Sequence, residues 1–499
     1  MSAELPVGWA EVELKSLVPA DGVLTDGDWV ESKDQDPDGD VRLIQLADIG
    51  DGFFRNKSHR FLTSKRAVSL GCTFLKAGDI LIARMPDPLG RACIFPLAGA
   101  EKYVTVVDVC IVRVSDLTVS NRYLTYAINS LAIRHKIEAL ESGTTRKRIS
   151  GKNLAGVRIP LAPLKEQQRI VAKIEELFSE LDKGIENLKL ARAQLAVYRQ
   201  ALLKHAFEGR LTADWRAANA DRLETGVQLH ARIRLDRATT YRSIPTDELK
   251  DLPGIPSEWV YASFGTFIET ITAGKSFSCD ERRPHKDEVG VAKVSAVTWG
   301  EYDETESKTC TDPTKINPSY FIEPNDFILS RANTIELVGA CVIVKRVAQR
   351  IMLSDKTLRL KIHGVSQGYV LRYLRSILGR KEIMGRSTGN QESMRNIGQD
   401  GIRSIAIPVC SPAEAEEILN LLEGQLDSIS LEESEIDTNL QKSEALRQSI
   451  LKKAFAGELV PQDPSDEPAT ELLARIRAER ASAAAAPKSK IRKPKAARA

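Results

Sequence analysis

Asn317-Pro318-Ser319-Tyr320 places an amide, proline-flanked carbonyls and an aromatic ring within four residues. Such a group could hold the exocyclic amine of an extruded base and stack on its face. A serine stands where a second proline would complete that loop, and no Gly-rich strand-to-helix turn for a methyl donor precedes it. Pro86-Asp87 could open a metal-dependent nuclease site, yet no well-spaced Glu-x-Lys or Asp-x-Lys follows to supply the second carboxylate and the lysine. No G-x-x-x-x-G-K-[ST] loop is available for ATP phosphates. His59, His135, His205, His230, His285 and His363 occur singly, and Cys72, Cys93, Cys110, Cys279, Cys310, Cys341 and Cys410 form no C-x-x-C pair. The expectation is no catalytic residue and no metal ligand, hence a protein that binds or assembles.

Binding chemistry is easier to nominate. Arg84 and Arg331 each follow a strand-like apolar run and precede a loop, where a guanidinium can reach a guanine edge or a phosphate. Arg91 lies in the same stretch as Arg84. The run Thr144-Thr145-Arg146-Lys147-Arg148-Ile149-Ser150-Gly151-Lys152 carries four bases and no acid, so Arg146, Lys147, Arg148 and Lys152 suit phosphates, which position a protein without reading sequence. In the second half, Asn390 and Gln391 have amides that pair with adenine, and Arg395 stands beside them.

These residues sit in a duplicated frame. GDILIAR (Gly78 to Arg84) answers NDFILSR (Asn325 to Arg331) at an offset of 247. LPVGW answers IPSEW near the start of each half, Ile159-Pro160 answers Ile407-Pro408, and LLKHAFEGRL answers ILKKAFAGEL at an offset of 248. ARIRLDRA and ARIRAERA close the two copies. A chain of 499 residues is too long for one ordinary core, and the repeat divides it nearly in half. Its 42% apolar content is that of a globular protein, and Lys plus Arg exceed Asp plus Glu by only three, so bulk charge says little about partners. The basic end, Lys488 to Ala499, cannot bury a core. No apolar run is long enough to cross a membrane, and widely spread thiols suit a cytoplasmic protein.

Two kinds of element must carry the repeat. Ile174, Leu181, Leu188, Leu195 and Leu202 recur every seven residues, flanked by Phe178 and Ile185. Leu422, Ile429, Ile436, Ser443 and Ile450 repeat that stripe with one polar position, flanked by Leu419, Leu426 and Leu440. Each half is predicted to hold a helix of about 45 residues, roughly 65 Å at 1.5 Å per residue, and the heptads favour pairing as an antiparallel coiled coil. Pro163 and Pro412 stand at the predicted starts, and Gly209 and Gly457 just past the ends. Gly184 is a weak point or a close-approach site. The remainder reads as β-rich runs, such as 103–107, 109–114, 340–344 and 357–360, followed by helices over 121–140 and 368–378. The expected fold is α+β, two tandem modules with mixed sheets. The boundaries are a recognition module over 1–162, spacer helix over 163–208, linker with a short helix over 209–252, second module over 253–411, spacer helix over 412–456, a repeat of the linker helix over 457–481 and a basic disordered tail over 482–499.

Two related but divergent modules on a helical spacer suit two different short targets a set distance apart on DNA. At this point the chain resembles, over essentially its whole length, the specificity subunits of type I restriction-modification systems. The resemblance rests on LPVGW and IPSEW, GDILIAR and NDFILSR, SGTTRKRISGKNL before IPLAPLKEQQRIVAKIEELF, and the paired AFEGRL and AFAGEL. It implies two target-recognition domains that each read half of a bipartite asymmetric site in double-stranded DNA, and two helices that set the gap. It implies no chemistry in this chain, no cofactor of its own and no membrane. It implies as partners two modification subunits using S-adenosylmethionine, and two motor-nuclease subunits using ATP and Mg. The second copy departs from the first, with STGNQESMRNIGQDGI for the basic run and SPAEAEEILN for APLKEQQRIV. A self-sufficient adenine methyltransferase and a coiled-coil scaffold without DNA specificity are the other readings.

Overall fold

A computed structural model describes residues 5–86, 88–99, 101–115, 118–143, 147–237, 251–391 and 394–485. The chain divides into two compact units, one of residues 1–188 with 438–499 and the other of 189–437. Each long helix contributes one half to each unit.

In the first unit, among the described residues, β2 (Val23–Asp26), β8 (Val109–Arg113), β5 (Ile80–Ala83) and β6 (Ala92–Ile94) form a four-stranded antiparallel sheet in that order. The apolar stretch Ile80-Leu81-Ile82-Ala83 is central and wholly buried, because it is covered on both faces. A second sheet sets β3 (Val41–Ile44) between β4 (Phe61–Leu62) and β7 (Lys102–Thr105), with β3 and β7 parallel. β1 (Ala10–Glu13) pairs with β9 (Arg158–Leu161), which joins the start of the module to the strand that leads into the first long helix.

The second unit repeats the plan. β11 (Ile268–Ala273), β18 (Thr357–Ile362), β14 (Phe327–Ser330) and β16 (Cys341–Ile343) make the four-stranded sheet. β13 (Ser307–Thr309), β12 (Val289–Ala292) and β17 (Arg350–Met352) make the mixed one, and β10 (Val260–Ser263) pairs with β21 (Ala406–Val409). It adds a ribbon in which β20 (Met394–Ile397) lies between β15 (Ala332–Asn333) and β19 (Ser387–Gln391). The α+β class with mixed sheets is thus observed.

The helix expected over 121–140 is two helices, Asn121–Asn129 and Leu131–Glu138. Buried Ser130 breaks the run with an extended backbone (φ −70°, ψ 144°) and donates its hydroxyl to Ala127 O at 2.7 Å. Ser376 repeats the device between Gln367–Arg375 and Ile377–Arg386, so the helix expected over 368–378 is also divided.

The long helices run over Leu164–Phe207 and Pro412–Phe455. Pro163 immediately precedes the first, and Pro412 is itself the first residue of the second, where its missing N–H costs nothing. Gly209 (φ 69°) and Gly457 (φ 76°) end them in the left-handed region. A Cβ at Gly209 would lie 2.5 Å from Pro256, and one at Gly457 would lie 2.3 Å from Pro6, so the chain reversal is also a close approach. Gly184 is no such site, because a Cβ there would meet nothing within 4 Å among the described residues.

The helices pack together. In the first unit Asp182 pairs with Arg447, whose guanidinium lies 4.4 Å from the Phe178 ring centroid, and Ile174, Ile450, Leu451 and Phe455 share one core. In the second unit Arg192 pairs with Asp437 at 3.2 Å and Arg199 with Glu433 at 2.9 Å. Numbering rises on one helix as it falls on the other, so the pairing is antiparallel. Ile174, Leu202, Leu422, Leu426, Ile429, Ile436 and Ile450 are buried. Phe178, Leu181, Ile185, Leu188, Leu195 and Leu440 are half-buried.

Each core is closed by the end of the other repeat. Phe455 meets the Tyr123 ring at 5.3 Å in the first unit, and Phe207 meets Tyr369 at 5.2 Å in the second. The helix Ala469–Ala485 buries Leu472 and Leu473 in the first core, while Gly226–Arg237 buries Leu229 and Ile233 in the second. Among the described residues, no helix is long and apolar enough to cross a membrane.

Candidate nucleic-acid interface

The duplicated arginines occupy the same backbone position. Arg84 leaves the end of β5, with its N–H on Asp108 O at 2.8 Å and its carbonyl accepting from Ile149 N at 3.1 Å. Arg331 leaves the end of β14, with its N–H on Lys356 O at 2.9 Å and its carbonyl accepting from Ile397 N at 2.9 Å. Each therefore ties the strand that the repeated phrase builds to the segment carrying the basic run or its counterpart.

Their side chains differ. The Arg84 guanidinium is only 11% exposed; it pairs with Asp26 at 2.7 Å and donates to Ile149 O at 3.0 Å and Val107 O at 2.9 Å. Burial pushes the Asp26 carboxyl above its ordinary value, and the Arg84 charge works against that shift. Arg331 is half-buried and donates Nε to Asn396 Oδ1 at 3.4 Å.

Arg91 is a correction. It is 4% exposed and donates to the carbonyls of Ile49 (2.8 Å), Pro88 (3.0 Å) and Leu46 (3.1 Å), so it ties loops together inside the module and faces no external ligand. Ile49 and Leu46 lie 42 and 45 residues away in the sequence.

The basic run is divided. Arg146 lies outside the described residues. Lys147 is exposed and pairs with Glu141 at 2.7 Å, while exposed Arg148 exchanges backbone hydrogen bonds with Ser142, both at 2.9 Å. Exposed Lys152 lies in the short helix Gly151–Ala155, which Ser150 caps. The described part of the run therefore leads from the Ser142–Arg148 bridge into that helix on the first module. In the second, Asn390 and Gln391 fall on the backbone of β19, and their side chains lie outside the described part. Arg395 on β20 is half-buried and donates to Gly389 O.

Of the residues considered for catalysis, Asp87 lies outside the described residues, and Asn317 and the buried thiols are otherwise engaged. Asn317 Oδ1 accepts from Ser319 N at 3.0 Å and Ser319 Oγ at 2.8 Å, so its amide carbonyl closes its own turn. Burial pushes the thiols of Cys93, Cys110 and Cys341 up to about 12, which leaves them as small apolar side chains. Among the described residues, no group of three His, Cys, Asp or Glu side chains is placed to hold a metal ion.

One repeated device left little trace in the local sequence. Trp9 Nε1 donates to Glu166 Oε2 at 3.0 Å, and Trp259 Nε1 donates to Glu414 Oε2 at 2.9 Å. Both carboxylates are buried in the first turn of a long helix and clamp it to the entry of its own module. Glu414 also accepts from Thr212 Oγ1 at 2.7 Å and Arg216 Nη1 at 2.6 Å. The second helix therefore retains the glutamate of Glu-Gln-Gln, although the surrounding letters changed. Gln167 bonds elsewhere, accepting from Ser120 N at 3.0 Å and donating to Ala162 O at 2.8 Å, and Ala415 stands in its place in the second copy. The matched tryptophans, with a glutamate 157 and 155 residues later, were the available signal.

Comparison with known proteins agrees with this duplicated plan. The family model described as the type I restriction modification DNA specificity domain matches residues 6–190. The chain is similar to the EcoEI specificity subunit of Escherichia coli, a type I restriction enzyme component, at 22% identity over 479 residues, covering 84% of this chain and 78% of that one. It is similar to the EcoKI specificity subunit of Escherichia coli strain K12 at 25% identity over 376 residues, covering 72% of each. A solved chain, described under complex assembly and conformational transition of the type I R-M system, matches with a TM-score of 0.64. That match has 16% identity and covers 91% of this chain and 99% of that one, so it is a likeness of fold.

Proposed function

We propose, for a chain that belongs to the family of type I restriction-modification specificity subunits, that each of its two units reads one half of a bipartite, asymmetric DNA site. The observation that carries this reading is internal. The frame repeats down to the Trp–Glu clamp and the Arg84 and Arg331 backbone bonds, whereas the rims around those arginines differ. Equal frames with unequal rims suit two different half-sites.

The chain supplies specificity and its partners supply chemistry. The partners are double-stranded DNA, two modification subunits and two motor-nuclease subunits, and S-adenosylmethionine, ATP and Mg belong to the chemistry of those subunits. The cytoplasm is the compartment in which such partners meet. Apolar side chains on the outer helix faces support recruitment: Leu190 and Val197, seven residues apart, are 57% and 71% exposed, and Leu431 is 63% exposed. Arg146, Lys147, Arg148 and Lys152 hold phosphates in this reading, and Asn390, Gln391 and Arg395 are its candidates for contact with bases.

The test is base-resolution adenine-methylation sequencing of DNA from methylation-free cells expressing the chain alone or with its modification subunit. A split motif methylated only by the pair is the expected result. Methylation by the chain alone would establish a self-sufficient methyltransferase. Silence from a folded and bound pair would leave a scaffold.

A further inference from the structure

We propose that the duplicated arginine has divided its labour: Arg331, held by Asn396, reads a guanine in the half-site of the second unit, while Arg84 is a structural residue of the first. The inference rests on the DNA reading above and names the specificity-determining side chain within it.

Strand register supplies the comparison. Asp26 lies opposite Cys110, which lies opposite Ile82, two residues before Arg84. In the second unit Ala273 lies opposite Leu358, which lies opposite Leu329, two residues before Arg331. Ala273 therefore occupies the place of Asp26, and among the described residues no carboxylate pairs with Arg331 as Asp26 pairs with Arg84. With three partners and 11% exposure, Arg84 has its guanidinium satisfied from inside. A Cβ on Gly151 would come within 2.6 Å of the Asp26 carboxylate, so the start of the helix Gly151–Ala155 closes directly over the ion pair.

Arg331 is set up differently. Its bond to Asn396 uses Nε, and both Nη groups make no hydrogen bond to the described residues. Two donors in a planar fork match O6 and N7 of guanine, the commonest specific arginine contact in the major groove. Asn396 belongs to β20, whose backbone pairs with Ala332 on one side and Thr388 on the other. Together with the short β15, β19 and β20 make a three-stranded ribbon of which they are the longer pair. Its surface is open: Met394 is 54% exposed, and the Thr388 hydroxyl lies at an exposed position. In the first unit the corresponding segment shows, among the described residues, one bridge between Ser142 and Arg148. Asn396 is thus a positioning residue that fixes the tilt of the fork, and Arg331 is the reader.

The experiment uses the full chain assembled with its modification subunit, methylation-motif sequencing as above, and thermal denaturation of each variant. Arg331→Lys keeps the charge and removes the planar fork. It is expected to relax one guanine position of one half-site by about 5- to 150-fold, the discrimination of one bidentate pair, with the other half-site and the melting temperature unchanged. Asn396→Ala is expected to relax the same position by a smaller factor. Arg84→Ala is expected to lower the melting temperature and leave the recognised bases unaltered. An unchanged motif with Arg331→Lys, together with uniformly weaker binding by Arg331→Ala, would show a phosphate contact and overturn the proposal. Relaxation of the motif by Arg84→Ala at an unchanged melting temperature would overturn it as well. Absence of any split motif with the unmodified chain would instead refute the DNA reading on which the proposal rests.

Discussion

Glu166 shows how much one buried atom decides. Its Oε2 accepts the Trp9 indole N–H, while Oε1 is buried with no hydrogen-bond partner among the described residues. Burial, partly opposed by the Trp9 hydrogen bond and the Arg169 charge, holds the carboxyl above its ordinary 4.5. The folded chain therefore binds that proton more tightly than the unfolded chain, and this group makes stability fall as pH rises through the interval above 4.5. Glu166→Gln keeps an acceptor for Trp9 and removes the titration. Urea denaturation of both proteins at pH 4 and pH 7 should show the variant gaining stability relative to the parent at the higher pH. A constant difference would mean that the carboxyl titrates normally.

At the scale of elements, the stripe on each long helix is one pattern with unequal burial. Ile174 is fully buried in the core of the first unit with Ile450 and Leu451, whereas Leu181, one heptad later, is half-buried. Truncating a buried isoleucine removes transfer free energy and leaves a cavity that its neighbours fill incompletely. Ile174→Ala is expected to lower the unfolding free energy of the first unit by about 2–5 kcal/mol. Leu181→Ala, already partly wet, is expected to cost less than about 2 kcal/mol by area removed from water. Chemical denaturation followed by hydrogen exchange in the first unit measures both, and equal losses would show that the seam is buried evenly.

At the scale of the whole molecule, the chain closes its first unit with its last described helix. Leu472 and Leu473 of Ala469–Ala485 are buried in a core that begins with Trp9, and Ala469 N–H donates to Gly8 O at 2.8 Å. Ending the chain after Pro468 removes two buried leucines, each worth about 1.5–3 kcal/mol. Backbone amides of the first unit should then exchange faster by hydrogen–deuterium exchange. Amides of the second unit, whose core is closed by Leu229 and Ile233, should be unchanged. Equal acceleration in both units would show that the two cores are not independently closed.

Much of this was written in local order. Period-two and period-seven apolar patterns, the prolines and glycines at the helix ends and the repeated phrases determined two α+β modules with mixed sheets and two long helices, because those signals depend on neighbours a few residues away. Tertiary structure decided where polar groups were satisfied. Arg84 and Arg331 are alike in sequence, yet Asp26 lies 58 residues from one, and Ala273 stands in the matching place beside the other. Arg91 reaches carbonyls 42 and 45 residues away, and Glu414 meets Trp259 across 155 residues. A charged side chain acts outward only when nothing inside satisfies it. That depends on atoms brought close by folding, which no local pattern records.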